Sequence, residues 1–171
     1  TKRKLMKLKL ILNDTPITRG NSKLGRDIAV LSITPASICM AKFLGLCQMK
    51  KNDCYAERFE KRFRKNVIPV LLNQMAYWDS RSAFGISDDI VRYNKTRKVK
   101  IKALRVGVSG DLRHQPDLEK AELVAQHLAE HGIVTYVYTA MRNLDYSEVE
   151  HLVVNTSGWS LPGANRFQVA Y

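Results

Sequence analysis

The sequence predicts an α/β fold, a partial barrel or open sheet of mostly parallel strands with helices on the outside. Two observations support this. Short apolar runs typical of buried strands alternate with longer helical patterns, and the connections between them are short. The alternation is clearest where strands at 104–108 and 133–139 flank a helix over 118–131, which stops before Gly132. The length of 171 residues fits one domain, since domains most often run to roughly 100–150 residues, and we expect a single α/β domain over 1–171.

In the first half, residues 28–33 predict a buried strand, and a cysteine-bearing loop over 34–54 follows it. A helix is expected next, with an apolar or aromatic residue at every fourth position: Tyr55, Phe59, Phe63 and Val67. This spacing predicts that the aromatic stripe faces inward and the charged residues face outward. Pro69 predicts an interruption or a kink before a further helix over 70–78.

Four shorter elements complete the expected fold. Residues 5–12 alternate as a half-exposed strand does, and 145–150 predict a short helix. Strands are expected over 151–155 and 167–171.

The composition excludes several classes of protein. An apolar content of 45% is too high for a disordered chain. No window approaches ~18 uncharged apolar residues, so no membrane span is expected, and the basic start lacks the apolar stretch of a secretory signal. We therefore expect a cytoplasmic protein.

The charge is strongly basic. Lys plus Arg number 28 against 16 Asp plus Glu, a formal net charge of +12 with a pI near 9.8. This balance favours a polyanionic partner, most simply nucleic acid. The alternative is that the excess lysine only keeps the protein in solution.

The basic excess is concentrated in the first 105 residues, chiefly over 58–65 and 92–105. The candidate nucleic-acid contacts are Lys61, Arg62, Arg64, Lys65, Arg97, Lys98 and Lys100. Tyr77, Trp78 and Tyr93 lie near them in the sequence and are candidates for stacking on bases. Ordinary core packing is the alternative for these aromatic residues.

The chain has three cysteines, Cys39, Cys47 and Cys54, all within 16 residues. Since nothing indicates secretion, a disulfide framework is not expected. Neighbouring lysines favour the thiolate form, which binds metal. Three thiolates can hold three corners of a [4Fe–4S] cluster or three of four zinc positions, with His114 or an exogenous ligand completing the set. Buried structural cysteines are the alternative.

Polar segments follow each of the predicted strands. They are the cysteine loop and residues 109–111, 139–142 and 155–158. Ligands of parallel sheets bind at the carboxyl ends of the strands. One topology therefore places all of these segments at one edge of the sheet.

These residues also carry a family resemblance. Residues 21–24, the apolar strand 28–33, the spaced cysteines and Cys54-Tyr55-Ala56-Glu57 resemble the phage gene-product-88 family and related phage three-cysteine proteins. Ser109-Gly110-Asp111 and the strand at 136–139 share the likeness, which spans about residues 21–158.

That family looks like a shortened radical S-adenosylmethionine domain, so the resemblance implies a radical-SAM-like fold with a cluster on the loop after the first strand. It implies that Ser109, Gly110 and Asp111 stand where radical enzymes place a turn that contacts the methionine amino group. Thr139 would occupy the place of a conserved strand end of the radical enzymes. In the enzyme hypothesis Arg142 holds a carboxylate bidentately, and the alternative for Arg142 is a surface cation. The cysteine gaps are seven and six residues here, whereas radical enzymes usually have three and two.

The predicted function is that of a phage-type iron–sulfur protein, radical-SAM-like, acting on or near nucleic acid in the host cytoplasm. Catalysis with S-adenosylmethionine is one form of this hypothesis. The alternative is a non-enzymatic nucleic-acid-binding protein with a structural metal site, zinc or cluster. A second alternative is a phage protein that blocks a host factor. The resemblance further implies a cysteine-rich tail beyond Tyr171, so the chain is expected to be a segment of a slightly longer protein.

Overall fold

A computed structural model describes residues 15–20, 24–49 and 53–167. The strand expected over 5–12 and nearly all of that over 167–171 lie outside these residues. The strands are β1 (Thr18–Arg19), β2 (Ile28–Leu31), β3 (Ala103–Val106), β4 (Val134–Thr139), β5 (Val153–Ser157) and β6 (Asn165–Phe167). The α-helices are α1 (Met40–Phe43), α2 (Tyr55–Arg62), α3 (Arg64–Ser80), α4 (Ala83–Thr96) and α5 (Gln115–Ala129), and a 3-10 turn covers Ala36–Ile38.

The six strands form one sheet in which spatial order equals chain order, from β1 to β6. The short strand β1 pairs antiparallel with β2, and each later pair is parallel. The prediction of an α/β fold with a mostly parallel sheet is therefore confirmed. No helix in the described part of the chain is long and apolar enough to cross a bilayer.

One face of the sheet is packed against helices. Successive side chains of a strand point to opposite faces, and Leu104, Val106 and Val137 join residues of α4 and α5 in the main apolar core. Burial of these side chains stabilises the fold by roughly 25 cal/mol for each Å² of apolar surface that is removed from water. The opposite face carries a different set, namely Arg105, Tyr136, Tyr138 and Asn155.

The helix after the cysteine loop is oriented differently from the expectation. Tyr55, Phe59 and Phe63 are 60%, 51% and 40% exposed, whereas Glu60 is only 2% exposed. The prediction that the aromatic stripe faces inward was wrong, because polar contacts of Glu60, rather than apolar packing, determine which side of α2 is buried. The stripe lies instead along an open apolar groove of about 380 Å³ between α2, α3 and β2.

The expected break at Pro69 was also wrong. The helix α3 runs through Pro69, and the interruption falls at Phe63, whose φ of −117° and ψ of 30° leave the helical region. A proline in the sixth position removes one backbone hydrogen bond to the preceding turn, and the helix accepts this loss.

Between β4 and β5 the chain forms turns rather than the expected helix over 145–150. The Asp145 side chain accepts a hydrogen bond from the Ser147 backbone N–H (3.0 Å), a local contact that competes with helix formation. The strand that follows begins at Val153 instead of residue 151, because the backbone N–H groups of His151 and Leu152 donate to Glu122 of α5.

Candidate metal and cofactor site at the carboxyl edge of the sheet

The described residues of the cysteine loop, 34–49 and 53–54, lie along the edge where the parallel strands end, which we call the carboxyl edge. Near its beginning, the Ala36 backbone N–H donates to Ser109 Oγ just after β3 (3.3 Å). Further along, Gln48 Nε2 donates to the Gly158 carbonyl just after β5 (2.8 Å). The loop therefore passes from the end of β2 to the end of β5, and the polar segments expected at one edge do meet there.

Glu60 of α2 fixes this loop to the sheet. Its carboxyl oxygens accept hydrogen bonds from the backbone N–H groups of Ala36 (2.6 Å) and Ser37 (3.0 Å). The Ser109 hydroxyl donates to the same carboxyl group. Sequence reasoning assigned Glu60 to the charged outer face, and the only signal against that assignment was its position one turn after the small residue Ala56, which is also buried.

The three cysteines are free and half-buried. Cys39 lies between the 3-10 turn and α1, and Cys54 immediately precedes α2. Cys47 follows α1, where its backbone N–H donates to the Ala41 carbonyl (3.1 Å). Three short backbone segments thus present the three thiols from one loop.

The Cys39 thiol is protonated at neutral pH in this arrangement. Burial raises its pKa from 9.0 to about 11, although the backbone N–H of Lys42 acts in the opposite direction. The nearby charges of Asp111 and Cys47 add to the increase. A metal bound at this position would have to displace the proton, because metal ligation requires the thiolate.

The thiols are near enough to affect one another or the same lysine electrostatically, but they are not arranged as a set of metal ligands. The pKa of Lys42 is raised, chiefly by the hydrogen bond to Glu57 and to a smaller extent by Cys54 and Cys39. Within residues 15–20, 24–49 and 53–167, no three His, Cys, Asp or Glu side chains are grouped closely enough to hold a metal ion. The donor chemistry suits a cluster or zinc, and binding would have to draw the thiols together.

His114, the sequence-based candidate for a further ligand, occupies the N-cap position of α5. Its Nδ1 lies 3.8 Å from Oδ2 of Asp117. The side chain is 56% exposed. Its partner in this structure is therefore a carboxylate of its own helix.

Asp111 joins the ends of β3 and β4. Its side chain is 5% exposed and accepts from the backbone N–H groups of Leu112 (2.7 Å) and Ala140 (2.8 Å). Burial raises the pKa of Asp111 to about 6, and these backbone donors only partly oppose the shift. The neighbouring Gly110 has a φ of +71°, and a Cβ there would lie 2.5 Å from the Thr34 carbonyl oxygen, so glycine is needed at this turn.

Most of the predicted cofactor contacts are already engaged within the protein. The Thr139 hydroxyl accepts from the Met141 backbone N–H (3.0 Å), and the Thr139 carbonyl accepts from Trp159 Nε1 (2.9 Å). Ser109 is bound to Glu60, and Asp111 holds two backbone N–H groups. Arg142 differs, since its side chain is exposed at the same edge.

The predicted nucleic-acid contacts are all exposed, but they form two clusters rather than one patch. The first, which we call the α2–α3 cluster, comprises Lys61, Arg62, Arg64 and Lys65, and it adjoins Glu60 at the carboxyl edge. The second comprises Arg97, Lys98 and Lys100, next to the start of β3, where Asn94 binds the backbone N–H and carbonyl of Ile101. The two clusters therefore lie at opposite edges of the sheet.

The aromatic residues proposed for base stacking belong to the interior. Trp78 is 1% and Tyr93 is 4% exposed. Trp78 Nε1 donates to Asp117 (2.8 Å), and the Tyr77 hydroxyl donates to Asp89 (2.6 Å). Core packing, the alternative considered from the sequence, explains them.

No protein-family model, curated protein or solved structure matches this chain. The resemblance to the phage three-cysteine proteins and the radical-SAM-like character of the sheet therefore stay predictions.

Proposed function

We propose that the chain is a phage-type iron–sulfur protein, radical-SAM-like in architecture, which holds its cluster through Cys39, Cys47 and Cys54 and acts on or near nucleic acid. One observation carries the proposal. The loop that bears every cysteine of the chain lies, in its described residues, along the carboxyl edge of a mostly parallel sheet, and Glu60 fixes its first part there. This is the edge at which parallel sheets bind their ligands.

A [4Fe–4S] cluster held by three thiolates supplies one iron with an open position for an exogenous ligand. The residues of this chain prepare the place. Glu60 holds the first part of the loop against the sheet, and the Cys39 thiol would have to give up its proton to become a ligand. Arg142, exposed at the same edge, is positioned to bind a carboxylate through its planar guanidinium.

The α2–α3 cluster supports the nucleic-acid part of the proposal. Its four cations begin one residue after Glu60, so they flank the cysteine loop. Lys61 also forms an ion pair with Glu57 (2.9 Å), whereas Arg62 lies over the Phe63 ring (5.4 Å). Cations of this kind contact phosphates, and binding through them weakens steeply as salt rises.

Anaerobic purification followed by iron, sulfide and zinc analysis and a visible spectrum tests the cluster. We expect iron and sulfide in the wild-type protein and their loss in Cys39→Ser, Cys47→Ser and Cys54→Ser. Ser37→Ala, an exposed change in the same loop, serves as the matched control and should retain the metal. Colourless protein that contains zinc alone would show that the site binds zinc and not a cluster. Protein that contains neither metal would refute the proposal.

A second candidate is a non-enzymatic nucleic-acid-binding protein whose metal is structural. The observation that favours it is that Ser109, Asp111 and Thr139 are hydrogen-bonded within the protein. These hydrogen bonds use the groups through which the three residues would contact S-adenosylmethionine. Incubation of the reduced iron-loaded protein with S-adenosylmethionine separates the two candidates. Release of 5′-deoxyadenosine supports the enzyme, and its absence together with retained nucleic-acid binding supports the binding protein.

The basic clusters can be separated in the same experiments. We expect Arg64→Gln with Lys65→Gln to weaken nucleic-acid binding and to reduce its salt dependence by about two phosphate contacts. Lys98→Gln with Lys100→Gln changes the charge equally at the opposite edge and should have a smaller effect. Equal effects of the two pairs would contradict an interface at the carboxyl edge.

A further inference from the structure

The sheet face opposite α4 and α5 carries an arginine at its centre. Arg105 lies on β3, the third of six strands. In the register of the sheet it is paired with Val30 on one side and Tyr136 on the other. The neighbouring pair on the same face joins Tyr138 to Asn155.

The charge of Arg105 is shielded but not neutralised by the described residues. Its guanidinium carbon lies 4.9 Å from the centre of the Tyr138 ring. Its Nε is inaccessible to solvent and has no hydrogen-bond partner. A charged donor that is buried without a partner costs free energy, on the order of 1–3 kcal/mol or more. The position is therefore unfavourable unless a ligand pairs with the guanidinium.

The surroundings favour an anion. The six strands contain no Asp or Glu, and none of the ion pairs among the described residues includes Arg105. Tyr136 and Tyr138 meet edge to face, with ring centres 6.1 Å apart. Burial raises the pKa of Tyr136 while the charge of Arg105 opposes the shift, so the phenol stays protonated and is available as a donor.

We infer that this face binds a small ligand through an oxyanion, a phosphate or a carboxylate, with Arg105 as the anchoring cation and the rings of Tyr136 and Tyr138 as the walls. The guanidinium fork matches either oxyanion. Arg105 takes part in none of the hydrogen bonds that hold the cysteine loop to the sheet. The site therefore does not depend on the metal proposed at the carboxyl edge.

Titration with inorganic phosphate, and separately with acetate, at constant ionic strength tests the inference. The readouts are the NMR resonance of the Arg105 Nε–H group and the thermal midpoint of unfolding. We expect a saturable shift of the resonance and a rise in the midpoint with at least one anion, and the stronger of the two identifies the oxyanion. No saturable response to either anion would overturn the proposal.

Variants assign the response to the arginine. Arg105→Gln should weaken binding roughly tenfold or more, as expected for loss of a charged hydrogen bond, whereas Arg105→Lys retains the charge and should weaken it less. Arg166→Gln, an exposed change on β6, is the matched control and should bind as the wild type does. An equal loss of binding in Arg166→Gln would show that anion binding depends only on the net charge of the protein.

Two further measurements keep the outcome decisive. If Arg105→Gln fails to fold, Tyr136→Phe provides a milder variant. If Tyr136→Phe binds the anion as the wild type does, and the anion does not shift its Arg105 Nε–H resonance, the result would count against the site. Cys39→Ser should retain anion binding whether or not it retains metal. Failure of the metal proposal and failure of this one are therefore distinguishable.

Discussion

The two edges of the sheet are built from different kinds of contact. At the carboxyl edge, Glu60 joins residues more than 20 positions before it and 49 positions after it, and Asp111 reaches Ala140. At the opposite edge, which we call the amino edge, Asn94 binds a residue only seven positions away, and the Lys102 backbone N–H donates to the Asp27 carbonyl (2.8 Å).

The difference shows where the chain accepts an energetic cost. Buried carboxyl groups are expensive unless they are well satisfied, and Glu60 and Asp111 are both placed at the carboxyl edge. The amino edge has exposed cations and a short turn, which cost little. Burial raises the pKa of Asp111, and titratable groups with shifted pKa values cluster at functional sites more often than elsewhere, so the comparison favours the carboxyl edge as the functional one.

Glu60→Ala should have the largest effect on this comparison. It leaves two backbone N–H groups and the Ser109 hydroxyl without their acceptor, and we expect a loss of about 4 kcal/mol in the free energy of unfolding, at about 1–3 kcal/mol for each unpaired group. Urea unfolding measures it. Glu119→Ala, at an exposed position of α5, is the control, and similar losses in the two variants would remove the distinction between the edges.

Asp111 predicts a pH dependence. Its folded pKa of about 6 lies above the unfolded value of 3.8, so the native protein holds a proton that the unfolded chain has lost within this window. The contribution of Asp111 therefore decreases as pH rises from about 4 to about 6, by about 3 kcal/mol for about two pKa units.

Asp111→Asn should remove this pH-dependent term, whatever its effect on baseline stability. The measurement is the difference in unfolding free energy between wild type and variant across pH 4–7. Asp88→Asn, at a position on α4 with a 46% exposed side chain, should leave the wild-type slope unchanged. A wild-type slope in Asp111→Asn would contradict the assignment.

Asn94→Ala tests the amino edge. It removes hydrogen bonds to the Ile101 backbone N–H (2.7 Å) and carbonyl (2.8 Å), and we expect a loss of about 2 kcal/mol, at about 1 kcal/mol for each bond. Cysteine reactivity at the carboxyl edge should not change. Faster alkylation of Cys39 in this variant would show that the two edges are coupled.

Cys39 predicts the smallest effect, which is a rate and not a stability. A pKa of about 11 in place of 9.0 lowers the thiolate fraction at pH 8 roughly hundredfold, at tenfold per pKa unit. Iodoacetamide labelling followed by peptide mass spectrometry should find Cys39 slow in the native protein and ordinary in urea. Glu60→Ala should accelerate it, and equal native and denatured rates would contradict the burial argument.

The regular part of the fold was predictable because it rests on local patterns. The strands near 28–33, 104–108 and 133–139 and the helix after Pro116 follow from apolar periodicity and from the glycine stop at 132. The meeting of polar segments at one edge followed from the parallel sheet. Two of the wrong predictions involved a side chain whose partner is distant in the sequence, Glu60 with Ser109 and Glu122 with His151. Two others, at Pro69 and over 145–150, depended on whether a local contact or helix formation prevails.

The sequence by itself determined the α/β class, the concentration of all three cysteines in one loop and the basic excess of the first 105 residues, because these depend on composition and short-range periodicity. Only the tertiary structure decided that Glu60 is buried, that the aromatic stripe of α2 is exposed and that the basic residues divide between two edges. It also decided that Arg105 stands without a carboxylate partner among the described residues. Each of these depends on which distant groups satisfy a charge or a hydrogen bond, and no local pattern encodes that choice.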